Sequence, residues 1–121
     1  MYLKKEQLLT LLKLGKPVEQ WIGFVDEKEY TVLKWLRIDK ERNGEYSVSY
    51  FEVYDEGNID FLDIYEFSSF DPDEPYGLIS TFSAYEEALN YCLTQYGCSY
   101  EGFINGGMIQ EEYKKYLDQN I

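Results

Sequence analysis

Leucines at Leu8, Leu11 and Leu12 stand at the i, i+3, i+4 spacing of one helical face, with Leu3, Leu9 and Leu14 beside them. Lys13 in the last turn, Gly15 just after it and Pro17 beyond predict a helix over about 3–14. From residue 21 the period changes to two. The segments WIGFV (21–25), EYTVLKWLRI (29–38), EYSVSYFEVY (45–54) and IDFLDIYEF (59–67) are dense in Val, Ile, Tyr, Phe and Trp, and the polar separators DEK, DKERNG and DEGN divide them. Asn43-Gly44 suits a tight hairpin turn. Four successive strands on short turns predict an antiparallel meander. In the third, Tyr46, Val48 and Tyr50 alternate before the phase passes to Phe51 and Val53, which predicts a bulge. GLISTF (77–82) predicts a short fifth strand.

The segment SAYEEALNYCLTQYG returns to helical spacing. Ser83 and Glu86 match the Ser-x-x-Glu capping box, Tyr85, Ala88, Leu89, Cys92 and Tyr96 form one stripe, and Gly97 is placed to end it. After the turn SYEGFINGG, the segment MIQEEYKKYL (108–117) predicts a last helix. The expected class is α+β: an antiparallel meander of four to five strands, with an N-terminal helix and C-terminal helices packed on one face. A chain of 121 residues makes residues 1–121 one expected domain. Trp21, Trp35, Tyr113, Tyr116 and Leu117 are read as packing residues.

Composition narrows the function classes. The chain is 45% apolar, enough to bury a core in spite of its charge. No run approaches the roughly 18 apolar residues of a membrane helix. The N-terminal stretch lacks a continuous apolar region and a small-residue cleavage site, so it reads as a folded helix and not as a signal peptide. Cys92 and Cys98 form no CxxC pattern, and helical rise would hold them up to about 9 Å apart unless the chain folds back. Two reduced thiols in a cytoplasmic protein are therefore expected.

Charge distribution says more than total charge. Residues 1–42 carry nine Lys/Arg against seven Asp/Glu, whereas residues 43–113 carry fifteen Asp/Glu and no Lys or Arg. The net charge is −12. Such a block is either solvated or faces a cationic partner. Direct binding to nucleic acid is disfavoured, because its affinity comes mainly from cations on phosphates.

The stretch DPDEPYG (71–77) invites a metal-site comparison. A calcium loop of EF-hand type wants acids at its first, third and fifth positions, glycine at the sixth and Glu at the twelfth. Here Pro75 takes the fifth place, Gly77 the seventh and Phe82 the twelfth. With no histidine and two cysteines, zinc is poorly served. The same absence removes Ser-His and Cys-His nucleophile pairs, and no phosphate-cradling Gly-x-x-x-x-Gly-Lys loop exists. No catalytic residue, metal or cofactor is expected. The plain alternative for the acids is solubility, yet fifteen anions without one interspersed cation cost stability through self-repulsion. Tyrosine beside carboxylate suits Lys and Arg on a partner. The expected binding face comprises Asp55, Glu56, Asp60, Asp63, Asp71, Asp73 and Glu74, with Tyr54 and Tyr76 as aromatic anchors.

The phrases FSSFDPDEPYG, TFSAYEEALNYCLTQYGCS and FINGGMIQEEYKKYL resemble the small acidic immunity proteins of bacterial polymorphic toxins, including contact-dependent inhibition and Maf-type systems. The resemblance spans roughly residues 29–117 and lies in overall shape and these short phrases. It implies a cytoplasmic inhibitor that binds one cognate toxin, often a nuclease domain, and blocks its active site or substrate surface. It transfers no catalytic residue. A different inhibitor, an acidic mimic of nucleic acid acting on a host DNA-binding protein, shares the charge argument. An enzyme using the 71–74 carboxylates on a metal ranks below both.

Overall fold

The computed structural model describes residues 1–120. Helix α1 (Lys5–Lys13) leads into β1 (Val18–Asp26), β2 (Thr31–Lys40) and β3 (Tyr46–Tyr54), and after a long connection into β4 (Leu78–Phe82). Helix α2 (Tyr85–Gln95), the short β5 (Ile104–Asn105) and α3 (Ile109–Gln119) follow. The strands form one antiparallel sheet in the order β4-β3-β2-β1-β5. The α+β meander expected from the sequence is thus present, with helices flanking it.

Both faces of the sheet are covered, not one. On the first face α1 and α2 lay Leu8, Leu12, Ala88, Leu89 and Cys92 against Val18, Leu36, Ile38 and Val48. On the second, α3 and the segment before β4 lay Ile109, Tyr113, Ile64 and Phe67 against Leu33, Trp35 and Val53. Strands buried on both faces show near-continuous apolar runs. This accounts for the phase change in β3, which pairs with β2 in unbroken register from Tyr46 to Tyr54. Its Tyr46 and Val48 serve the first face and its Val53 the second, so no bulge is needed there.

The irregularity lies in β1, where the register with β2 shifts between Trp21 and Gly23. The extra residue keeps Trp21 and Phe24 on one side, and both rings pack on Tyr116 of α3, with centroids 5.6 and 4.9 Å away. Trp35 is buried as expected and Trp21 is half-buried.

The fourth predicted strand is also corrected. Residues 59–67 pair with no strand; they hold an isolated bridge between Asn58 and Phe61 and a 3-10 turn at Ile64–Glu66. Ile64 and Phe67 point into the second core, a spacing of three that suits a turn of helix and not a strand. The edge position beside β3 goes to 78–82.

Two local expectations fail as well. Ala84, not Ser83, occupies the cap position of α2, and the Ser83 hydroxyl bonds the Glu87 carboxylate at 2.8 Å in place of a capping box with Glu86. Beyond α2 the chain folds back at Gly97 (φ +67°), and the Cys98 N–H donates to the Cys92 carbonyl at 3.2 Å. The two buried, free thiols therefore meet, and contact with Cys98 together with burial pushes the Cys92 thiol up.

Candidate functional site

The site begins where β3 loses its neighbour. Ser68 and Phe70 continue the edge of the sheet: the Tyr54 N–H donates to the Ser68 carbonyl and the Phe70 N–H to the Glu52 carbonyl, both at 2.9 Å. At Asp71 the chain leaves the edge, and at Leu78 it returns as β4. DPDEPYG is thus a loop thrown out of an edge strand. It is built from its own groups. Asp71 Oδ1 accepts the Asp73 N–H at 2.9 Å, the Glu74 N–H reaches the Asp71 carbonyl, and the Gly77 N–H reaches the Glu74 carbonyl. Ser69 Oγ sits 3.0 and 2.9 Å from the carbonyls of Asp71 and Glu74. Gly77 closes the loop at φ +84°, where a Cβ would stand 2.7 Å from the Tyr50 carbonyl oxygen.

This construction turns acids outward. Asp71 and Asp73 are exposed and Glu74 is half-exposed. Tyr76 is 79% exposed, the most exposed tyrosine of the chain. Between the loop and the sheet lies a cleft of about 190 Å³, lined by Glu52, Asp71 and Glu74 together with Tyr50, Ser69 and Leu78. The Tyr50 hydroxyl donates to Glu52 at 2.7 Å, and its ring stacks on Tyr96 at 4.2 Å, so one wall is fixed. Burial, and then the Glu52 carboxylate, push the Tyr50 phenol up. On the other side of the loop Pro75 and Tyr76 close a groove of about 360 Å³ against Trp35, Phe51, Tyr65 and Arg37.

The nine residues expected at the binding face fall into two groups. Asp71, Asp73, Glu74 and Tyr76 share the loop and are available to a partner. The others sit around the connection from 55 to 67. Asp55 accepts the Tyr113 hydroxyl, Glu56 accepts the Ser68 N–H, and Asp63 lies 3.5 Å from the Gln110 amide. These carboxylates fasten the connection to α3 and to the loop. Asp60 stands exposed at the tip of the turn. Tyr54 is half-buried between Tyr30 and Phe70, with ring centroids at 5.6 Å to each. Its role is packing at least as much as contact.

The acids are left without cations. Of the fifteen between 43 and 113, Glu112 alone forms an ion pair among the described residues, with Lys115 at 3.2 Å. Four lysines, Lys4, Lys5, Lys13 and Lys16, flank or lie on α1, which packs against β1 and the turn at Tyr100–Gly102 and accepts the Tyr46 hydroxyl of β3 at its Leu12 carbonyl; none of the four forms an ion pair among the described residues.

Sequence reasoning missed Glu52 as a member of the cleft. Its signal was its position two residues after Tyr50, on the same side of a strand. Among the described residues no group of three or more Asp, Glu or Cys is arranged to hold a metal ion. No described helix is long and apolar enough to cross a membrane. No family model, curated protein or solved structure matches the chain.

Proposed function

We propose that this protein is a non-catalytic inhibitor, the immunity partner of a toxin domain, most simply a basic nuclease, which it binds in the cytoplasm through the acidic loop Asp71–Tyr76 and the cleft behind it. One observation carries the reading: fourteen of the fifteen acids from 43 to 113 have no cationic partner within the described chain. A surface that repels itself gains most from an external cation source, and a nuclease carries one in its phosphate-binding groove. The loop is prepared for such a role, since its internal hydrogen bonds and two prolines lower the entropy lost on docking. Asp55, Glu56 and Asp63 then act as supports behind the contact surface, and Asp60 and Tyr54 lie at its margin.

The test is co-expression with the product of the adjacent upstream gene, followed by purification and a growth assay. A product that is toxic alone and harmless in a complex with this chain supports the reading. Capture of a housekeeping DNA-binding protein, with no toxin encoded nearby, replaces it with the nucleic-acid mimic. At low salt, association with the partner is expected to approach about 10⁸ M⁻¹s⁻¹ and to slow as salt rises. Reversing Asp71, Asp73 and Glu74 to lysine should slow it by more than tenfold, on the order of the steering gain itself. Stopped-flow rates that ignore both changes would sink the acidic-face mechanism.

A further inference from the structure

The sheet has two ends, and they differ. At one, β5 pairs with Val18 and Glu19 of β1. At the other, β4 pairs with β3 on one side and with no described strand on the other. In an antiparallel edge strand, alternate residues turn their N–H and C=O groups outward, which makes a template for another strand. Proteins blunt such edges with lysine, proline or bulges. The β4 sequence LISTF has none of these, and its register with β3 is regular from Leu78 to Phe82. Its apolar side chains are also open, with Leu78 46% and Ile79 54% exposed. Leu78 lines the same cleft as Glu52, Asp71 and Glu74.

We infer that β4 is a docking edge for an extended basic segment of the partner protein, which adds a sixth strand beside Leu78–Phe82. A Lys or Arg side chain of that segment enters the cleft between Glu52, Asp71 and Glu74. Backbone pairing supplies the affinity, and the cleft selects for a cation next to the strand. The identity of the strand's owner rests on the function proposed above; the edge itself does not. A second copy of this chain is a poor occupant. Antiparallel self-pairing about Ser80 would set the 71–77 loop of one copy beside Glu86 and Glu87 of the other, and parallel self-pairing would set the two acidic loops side by side.

The experiment uses the whole protein and a synthetic peptide of about eight residues alternating Lys and Val, a length that spans the strand. The same peptide, N-methylated at every residue, keeps the charge and loses the backbone donors. Amide exchange at 78–82 is expected to slow when the first peptide is added. N-methylation should weaken binding by about tenfold or more, as loss of two or three hydrogen bonds requires. The double variant Asp71→Lys, Glu74→Lys should weaken it by about tenfold, through the cleft. Equal binding of both peptides, no binding, or unchanged exchange at 78–82 would overturn the inference. So would protection of 78–82 without peptide, accompanied by concentration-dependent dimers in sedimentation. A toxin neutralised while β4 exchange stays unchanged removes the edge and keeps the immunity function. A peptide that docks while no toxin exists does the reverse.

Discussion

Glu19 lies on β1 with no exposed surface, and four donors surround its carboxylate. Arg37 Nη1 approaches to 2.7 Å, the Tyr65 hydroxyl to 2.9 Å, and the N–H groups of Met108 and Ile109 to 3.1 and 3.0 Å. Arg37 is its direct partner across the ladder, and Met108 and Ile109 are the cap and first residue of α3. A strand residue thus caps a helix that no local side chain caps, and the negative charge sits at the positive end of the helix. Glu19→Gln is expected to cost on the order of 3–5 kcal/mol, because it leaves Arg37 and the helix end short of an anion. Urea denaturation measures it; a loss below about 1 kcal/mol would mean that water replaces the carboxylate. None of this was legible in the sequence. Glu19 stands between Val18 and Gln20 like any strand glutamate, and its four donors come from 18, 46, 89 and 90 residues away.

Among the elements, β2 and β3 were legible because Val, Tyr, Trp and Ile recur there between short polar turns, and α1 because its leucines keep one face. The segment from 59 to 67 misled because its apolar density serves a turn that plugs the second core, and density alone does not separate strand from plug. The acidic loop was legible as composition but not as geometry. Nothing in DPDEPYG says that its flanks pair with the same strand on either side of it. That geometry makes Gly77 a hinge point. Gly77→Ala meets a left-handed backbone and a crowded carbonyl, so a loss of about 2 kcal/mol or more is expected. Faster amide exchange in 71–80, with β1 and β2 unchanged, is the measurement that places the damage.

For the whole molecule the decisive quantity is unbalanced charge. A net charge of −12 with few internal pairs predicts that salt stabilises. Raising ionic strength from about 0.01 to 0.15 M shortens the screening length from about 30 to 8 Å. An upward shift of a few degrees in Tm, about what 1 kcal/mol gives in a chain of this size, is expected by calorimetry. The phenols of Tyr50, Tyr65, Tyr96 and Tyr113 all sit above the ordinary value of 10.0, first through burial and next through Glu52, Glu19, Tyr91 and Asp55 respectively. The folded state therefore holds these protons more tightly than the unfolded chain does. Their contribution is complete below the unfolded phenol value of about 10 and is lost as pH rises beyond it. Stability should be level through pH 9 and then fall, with the four phenols losing their protons together with unfolding. Ionisation of Tyr50, Tyr65, Tyr96 and Tyr113, followed residue by residue by NMR, at or below about pH 10 while the fold persists would contradict the sign.

The cap on α3 also imposes an order of assembly. The meander from β1 to β3 can pair as soon as its hairpins close, since its contacts are between neighbours in the chain. The carboxylate at Glu19 waits for donors that are made after the whole meander, at Met108 and Ile109, and Leu3 waits for the carbonyl of Phe103. The segments around Leu3–Glu19 and Phe103–Ile109 must meet before either is stable. A nascent chain stopped at residue 107 would hold a charged group in a half-made interior, and its exchange pattern should be that of an open sheet. Arrival of the segment from Met108 onward is what locks Leu3 to Glu19 in place.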